Sequence, residues 1–171
     1  MMFSGKSAKD GVNPMREKLG ESIADTRLNM TAQPLSADGF GYQLFDAEGT
    51  ATQSTPLIVD GTLNTLIHNS ATASFFDMKT TGHAARGPKS TLGVGLHQLE
   101  IAAGSSSQTD LFSGKYLMLT DLTGMHSGAN AISGDFSFGA SGFLYEDGQR
   151  LQPVRGVPVA GNFYDMLNKI A

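Results

Sequence analysis

Four histidines, His68, His83, His97 and His126, are the residues of this chain best suited to acid–base or metal chemistry. None stands three or four residues from another, the spacing that sets two imidazoles on one face of a helix. A three-histidine metal site assembled in space stays open, because ligands need not be neighbours in sequence. His68 and His97 read as surface or hydrogen-bonded core residues. His83 and His126 lie in the glycine-containing loops TTGHAARG and GMHSGAN. Binding residues concentrate in such loops. Arg86 follows His83 by three positions and could orient a carbonyl or carboxylate. An independent hydrolase built from His83, His126 and nearby carboxylates is one alternative these residues leave open.

The carboxylates are less specific. Asp46 and Glu48 share the compact turn FDAEG. They could take a cation, but two carboxylates in a turn are more often solvated or cap backbone N–H groups. Asp135, Glu146 and Asp147 could act as acid and base only at distances that a sequence does not give. GASGF, at 139–143, lacks the strand–turn–helix context of a serine nucleophile elbow. Gly5-Lys6-Ser7 resembles the end of a phosphate-binding loop without its first glycine, and reads as a flexible polar lead-in. The chain has no cysteine, which excludes disulfides, thiol catalysis and thiolate metal sites.

The elements that must position these groups are mostly strands. A chain of 171 residues is expected to form a single domain, 1–171. Its 21 glycines without a repeat point to many tight turns. Asp60-Gly61 and Asp147-Gly148 each separate two apolar-patterned runs and predict two-residue hairpins. The first joins 55–59 to 62–67. The second joins the alternating run through 143–146 to 151–154, with a further short strand at 157–160. Shorter strands are expected at 27–31, near 96–101 and at 116–120. Asn13-Pro14 opens a predicted helix over 14–24, in which Met15, Leu19 and Ile23 recur every four residues. Asn69 or Ser70 caps a short helix. One helical turn is expected at 110–115. Asn162 caps a last helix with Phe163, Met166, Leu167 and Ile170 on one face. The fold class is therefore mainly β with a few short helices (α+β). It is an antiparallel β-barrel-like or folded sheet with terminal helices packed on it.

Charge and hydropathy narrow the partners. A net charge of −4 with scattered lysines and arginines argues against nucleic acid. No run approaches the roughly 18 apolar residues of a membrane helix, so no membrane partner is expected; the absence of cysteine fits the cytoplasm, which is the expected location.

Three stretches, FDAEGTATQSTPLIVDGTL, TTGHAARG and SGDFSFGASGFLYEDGQRLQPVRGVPVAGNFYDML, together resemble the C-terminal half of the TldD/PmbA family. Their order is the family's, and they extend across almost the whole chain. GDFSFGASGF resembles the PmbA (TldE) version of that segment. The resemblance implies zinc metallopeptidases acting on peptides or unfolded polypeptides, associated with microcin maturation and antitoxin turnover and labelled modulators of DNA gyrase. It implies heterodimers of a TldD-type and a TldE-type subunit. It places zinc on a HExxxH helix and a later cysteine of the TldD-type subunit, neither of which occurs here. By that resemblance the N-terminal half is absent and no catalytic or metal residue is carried over. The chain is then a non-metal-binding scaffold and substrate-channel domain, inactive alone, with His83, Arg86 and His126 as its substrate-binding candidates. Exposed strand edges would take up an extended peptide. Self-association of the fragment is expected wherever apolar surface is left uncovered. An interaction module acting on gyrase or a toxin–antitoxin system is the other alternative.

Overall fold

A computed structural model describes residues 2–170, which form two compact units, Met1–Ala102 with Leu167–Ala171 and Ala103–Met166. The chain is mainly β with four short helices, as the turn chemistry predicts. None of the described helices is long and apolar enough to cross a membrane.

The first unit is organised by the Asp60-Gly61 hairpin. Both residues take positive φ, 46° and 73°, which closes a two-residue turn that matches strand twist. It joins β2 (Thr55–Val59) to β3 (Thr62–Leu63). β1 (Met30–Ala32) and β6 (Leu99–Ile101) complete an antiparallel sheet of order β3-β2-β1-β6. Leu57, Ile58 and Leu63 are fully buried beside Met15, Leu28 and Leu66. Each such side chain contributes about 1.5–3 kcal/mol. β4 (Ala84–Ala85) and β5 (Gly93–Val94) form a separate two-stranded ladder.

The helix predicted over 14–24 does not form; those residues run through turns. Asn13 Oδ1 accepts from Met15 N, and its amide nitrogen donates to the Met2 and Ser4 carbonyls. Further on, Gly20 N donates to Leu63 O, and Leu63 N to Glu21 O. The backbone groups that a helix would have used are satisfied by the hairpin instead. Met15 and Ile23 are still buried, while Leu19 is exposed. The helix lies earlier, in the stretch read as a polar lead-in. α1 (Gly5–Lys9) is capped by Ser4, whose hydroxyl accepts from Ser7 N. α2 (Ser70–Phe75) carries the expected cap at Asn69, completed into a capping box by Thr72.

The second unit opens with α3 (Gln108–Leu111) and continues as a three-stranded meander. β7 (Lys115–Thr123), β8 (Asp135–Glu146) and β9 (Gln149–Asn162) pair antiparallel in that order. Asp147 and Gly148 make the second positive-φ turn, at 48° and 77°. The two strands predicted at 151–154 and 157–160 are one. β9 runs through both, and a register shift opposite 140–142, with Gly156 at φ 68°, accommodates the extra residue as a bulge. The register collects Leu117, Leu119, Leu122, Phe136, Phe138, Leu144, Val154, Val157 and Val159 on one face. Among the described residues no sheet closes into a barrel, because strand sets of two to four are too few to close. α4 (Phe163–Leu167) follows β9 directly. Asn162 Oδ1 accepts from Tyr164 N and Asp165 N, the cap that the sequence predicts. Its apolar face is only partly covered: Leu167 is buried, Phe163 and Met166 are exposed.

Candidate functional site

The FDAEG turn and β4 make the most constrained polar assembly of the first unit. Asp46 is 3% exposed. Its Oδ1 accepts from Glu48 N and Thr50 N, and its Oδ2 from Ala84 N, each at 2.9 Å. Ala47 N returns a bond to Ala84 O. The carboxylate thus caps backbone amides, closing its own turn and clamping β4 to it. Glu48 does the same at α2, accepting from Ser70 N and Oγ. Asp46 is taken up through both oxygens and Glu48 through Oε2.

His83 immediately precedes β4 and is wholly buried. Its Nδ1 lies 2.8 Å from Thr81 O. A carbonyl only accepts, so Nδ1 carries the proton and Nε2 holds a lone pair. That Nε2 is buried without a partner. The ring stacks on His97 at 5.4 Å, and His97 Nε2 donates to Gly82 O. Desolvation dominates the electrostatics and pushes the His83 pKa down to about 4. His68 is buried on the other side of the same backbone junction. His83 N and Thr81 N both donate to its carbonyl. Its Nδ1 meets Thr72 Oγ1 at 3.2 Å, and its ring packs edge-on to Phe76. Its Nε2 is also orphaned, and burial lowers its pKa. Gly5 presses on this ring: a Cβ there would stand 2.3 Å from His68 Nδ1.

Arg86 leaves β4 into solvent, exposed and with no hydrogen-bond or ion-pair partner among the described residues. The structure places His83 and Arg86 on either side of β4, His83 buried before it and Arg86 exposed after it. His126 belongs to the second unit, exposed in the turn that begins at Gly124. The burial of His68 was not legible from its own neighbours; the threonine pair in TTG was the signal, since Thr80 and Thr81 hydroxyls both reach the His68 carbonyl.

Among the described residues no three His, Cys, Asp or Glu side chains converge on a position for a metal ion. Asp46 is saturated by amides, and His97 Nε2 is engaged by a carbonyl. The donors present therefore do not fit a peptidase metal.

Residues 1–171 match the family described as the PmbA/TldA metallopeptidase C-terminal domain. The chain is 33% identical over 156 residues to Metalloprotease PmbA of Escherichia coli O157:H7, covering 90% of this chain and 32% of that protein. It is 29% identical to the PmbA homolog of Haemophilus influenzae, over 98% of this chain and 36% of the relative. Among solved structures, TldE from Thermococcus kodakarensis superposes with a TM-score of 0.88 at 27% identity, over 98% of this chain and 38% of that one. A candidate modulator of a DNA gyrase from Thermotoga maritima gives 0.89 at 31% identity, over 99% and 39%. The chain spans about a third of the length of these relatives. With the family's motifs in order and its C-terminal fold reproduced, the chain belongs to the PmbA/TldD metallopeptidase family and matches its C-terminal domain.

Proposed function

We propose that this domain holds and orients peptide or unfolded polypeptide in a TldD/TldE-type peptidase assembly, while a TldD-type subunit supplies the zinc and the cutting groups. The observation that carries this reading is the unpaired guanidinium of Arg86, the residue directly after the immobilised strand β4. Asp46 clamps β4 from one side, β5 pairs it from the other, and His83 fixes its start from within. A cation held on such a frame loses little freedom when it takes a carboxylate or carbonyl. His83, being buried, acts by holding β4 and not by touching substrate. His126 is a second exposed contact, in the other unit. Free edges at β6 and β7 offer an extended chain sequence-tolerant backbone hydrogen bonds.

The test is cleavage of an unfolded peptide by the chain mixed with a TldD-type subunit and zinc. Arg86→Ala is expected to raise KM about tenfold, the worth of one charge-assisted hydrogen bond, with kcat and thermal stability unchanged. Cleavage by the isolated chain would sink the proposal, as would an unchanged KM in the variant.

A further inference from the structure

Two buried imidazoles each carry a ring nitrogen that nothing in the described structure answers, Nε2 of His68 and Nε2 of His83. The His83 ring belongs to the segment 80–97, while His68 anchors the start of that segment through its backbone carbonyl. The His68 carbonyl takes bonds from Thr80 Oγ1, Thr81 N, Thr81 Oγ1 and His83 N. The His83 ring is tied to Thr81 and stacked on His97, while Gly95 N donates to its carbonyl. The segment is therefore built around one buried ring, that of His83, whose Nε2 nothing answers. The ionisable groups around His83 are Asp46, His97 and His68. Around His68, α1 and α2 contribute Gly5, Thr72 and Phe76, none of which titrates. Asp46 is the one anion among them, and its oxygens are shared by three amides. A proton added at either Nε2 would bury a cation with no acceptor beside it.

We propose that His83 is an acid-released latch, whose protonation frees the segment 80–97, with β4 and Arg86, before the rest of the chain unfolds. The sign follows from linkage. His83 is held at about 4 in the fold against an ordinary 6.5, so the opened segment binds the proton that the closed one refuses. The latch is fully closed above pH 6.5, weakens as pH falls through that value, and stops weakening near 4.

Amide exchange on the full chain, corrected for intrinsic rates, reads the latch directly. Between pH 7 and pH 4.5 the opening constant at Ala84 and Gly95 is expected to rise about a hundredfold relative to the amides of β8. His83→Asn keeps a side-chain N–H for Thr81 O and removes the titrating ring, so most of that rise should vanish. Acid sensitivity that survives in this variant overturns the assignment, because Asp46 is still present. Should the variant not fold, the wild-type ring nitrogens decide. His83 Nε2 taking up a proton while Ala84 and Gly95 stay protected overturns the latch, and so does a segment that opens no earlier than β8. Protonation that coincides with opening supports it.

Discussion

An Asp46→Ala chain is expected to lose about 3–5 kcal/mol of the first unit's stability. The carboxylate accepts three backbone amides, from Glu48, Thr50 and Ala84, and is almost fully buried. Removing it orphans all three donors at once. Each buried, unanswered N–H costs about 1–3 kcal/mol, with partial relief as water enters the gap. The loss is largest because two of these bonds close the turn and the third fastens β4, so one atom group ties 46–50 to 84. Asp46→Asn keeps one acceptor oxygen and should retain part of the stability. Urea unfolding followed by circular dichroism measures it; the chain has no tryptophan to report by fluorescence. A loss below about 1 kcal/mol would show that the turn is held by its other contacts.

The second large effect lies in the other unit. Gly142 sits opposite Leu119, where β7 and β8 approach closely. A Cβ at that position would stand 2.0 Å from Met118 O and 2.9 Å from the carbonyl carbon. Those atoms are backbone and cannot rotate aside. Gly142→Ala should therefore push β7 away from β8 and cost about 2–3 kcal/mol, the upper range of overpacking. Gly104→Ala is the control, because nothing lies within 4 Å of its Cβ position and its φ is ordinary. Matching melting temperatures for the two variants would contradict the steric account.

What the sequence discloses follows the range of the interactions concerned. Asp60-Gly61 and Asp147-Gly148 announce hairpins because positive φ is a local demand met by local residues. Asn69 and Asn162 announce helix starts for the same reason, since a cap bonds within three residues. The helix expected at 14–24 fails because its spacing is outbid by a partner forty residues away, the backbone of Leu63. Met15 and Ile23 face the core as their spacing implies and Leu19 does not; the hydrogen bonds that place the stretch are non-local. The site shows the same division. Asp46 as a backbone cap was legible from the turn it occupies. That its second oxygen would reach Ala84, and so bury His83 before the strand that Arg86 follows, was not, because 38 residues separate the two. His83 in a loop of small residues looks exposed on paper; it is interior, stacked on His97 and bonded to Thr81.

The two outer strands of the meander differ in a way that bears on assembly. β9 carries Pro153 and Pro158 and is broken by bulges, all of which blunt an edge. β7 carries no proline and pairs regularly from Lys115 to Leu119. A sheet with one receptive side and one refusing side cannot polymerise head to tail. If two copies join through β7, the contact is a two-fold one and consumes both receptive sides. Growth then terminates at a pair, and no filament follows. Sedimentation of a concentrated sample is expected to show monomer and dimer with nothing larger; a ladder of higher species would mean that a further edge, β9 or β6, is open as well.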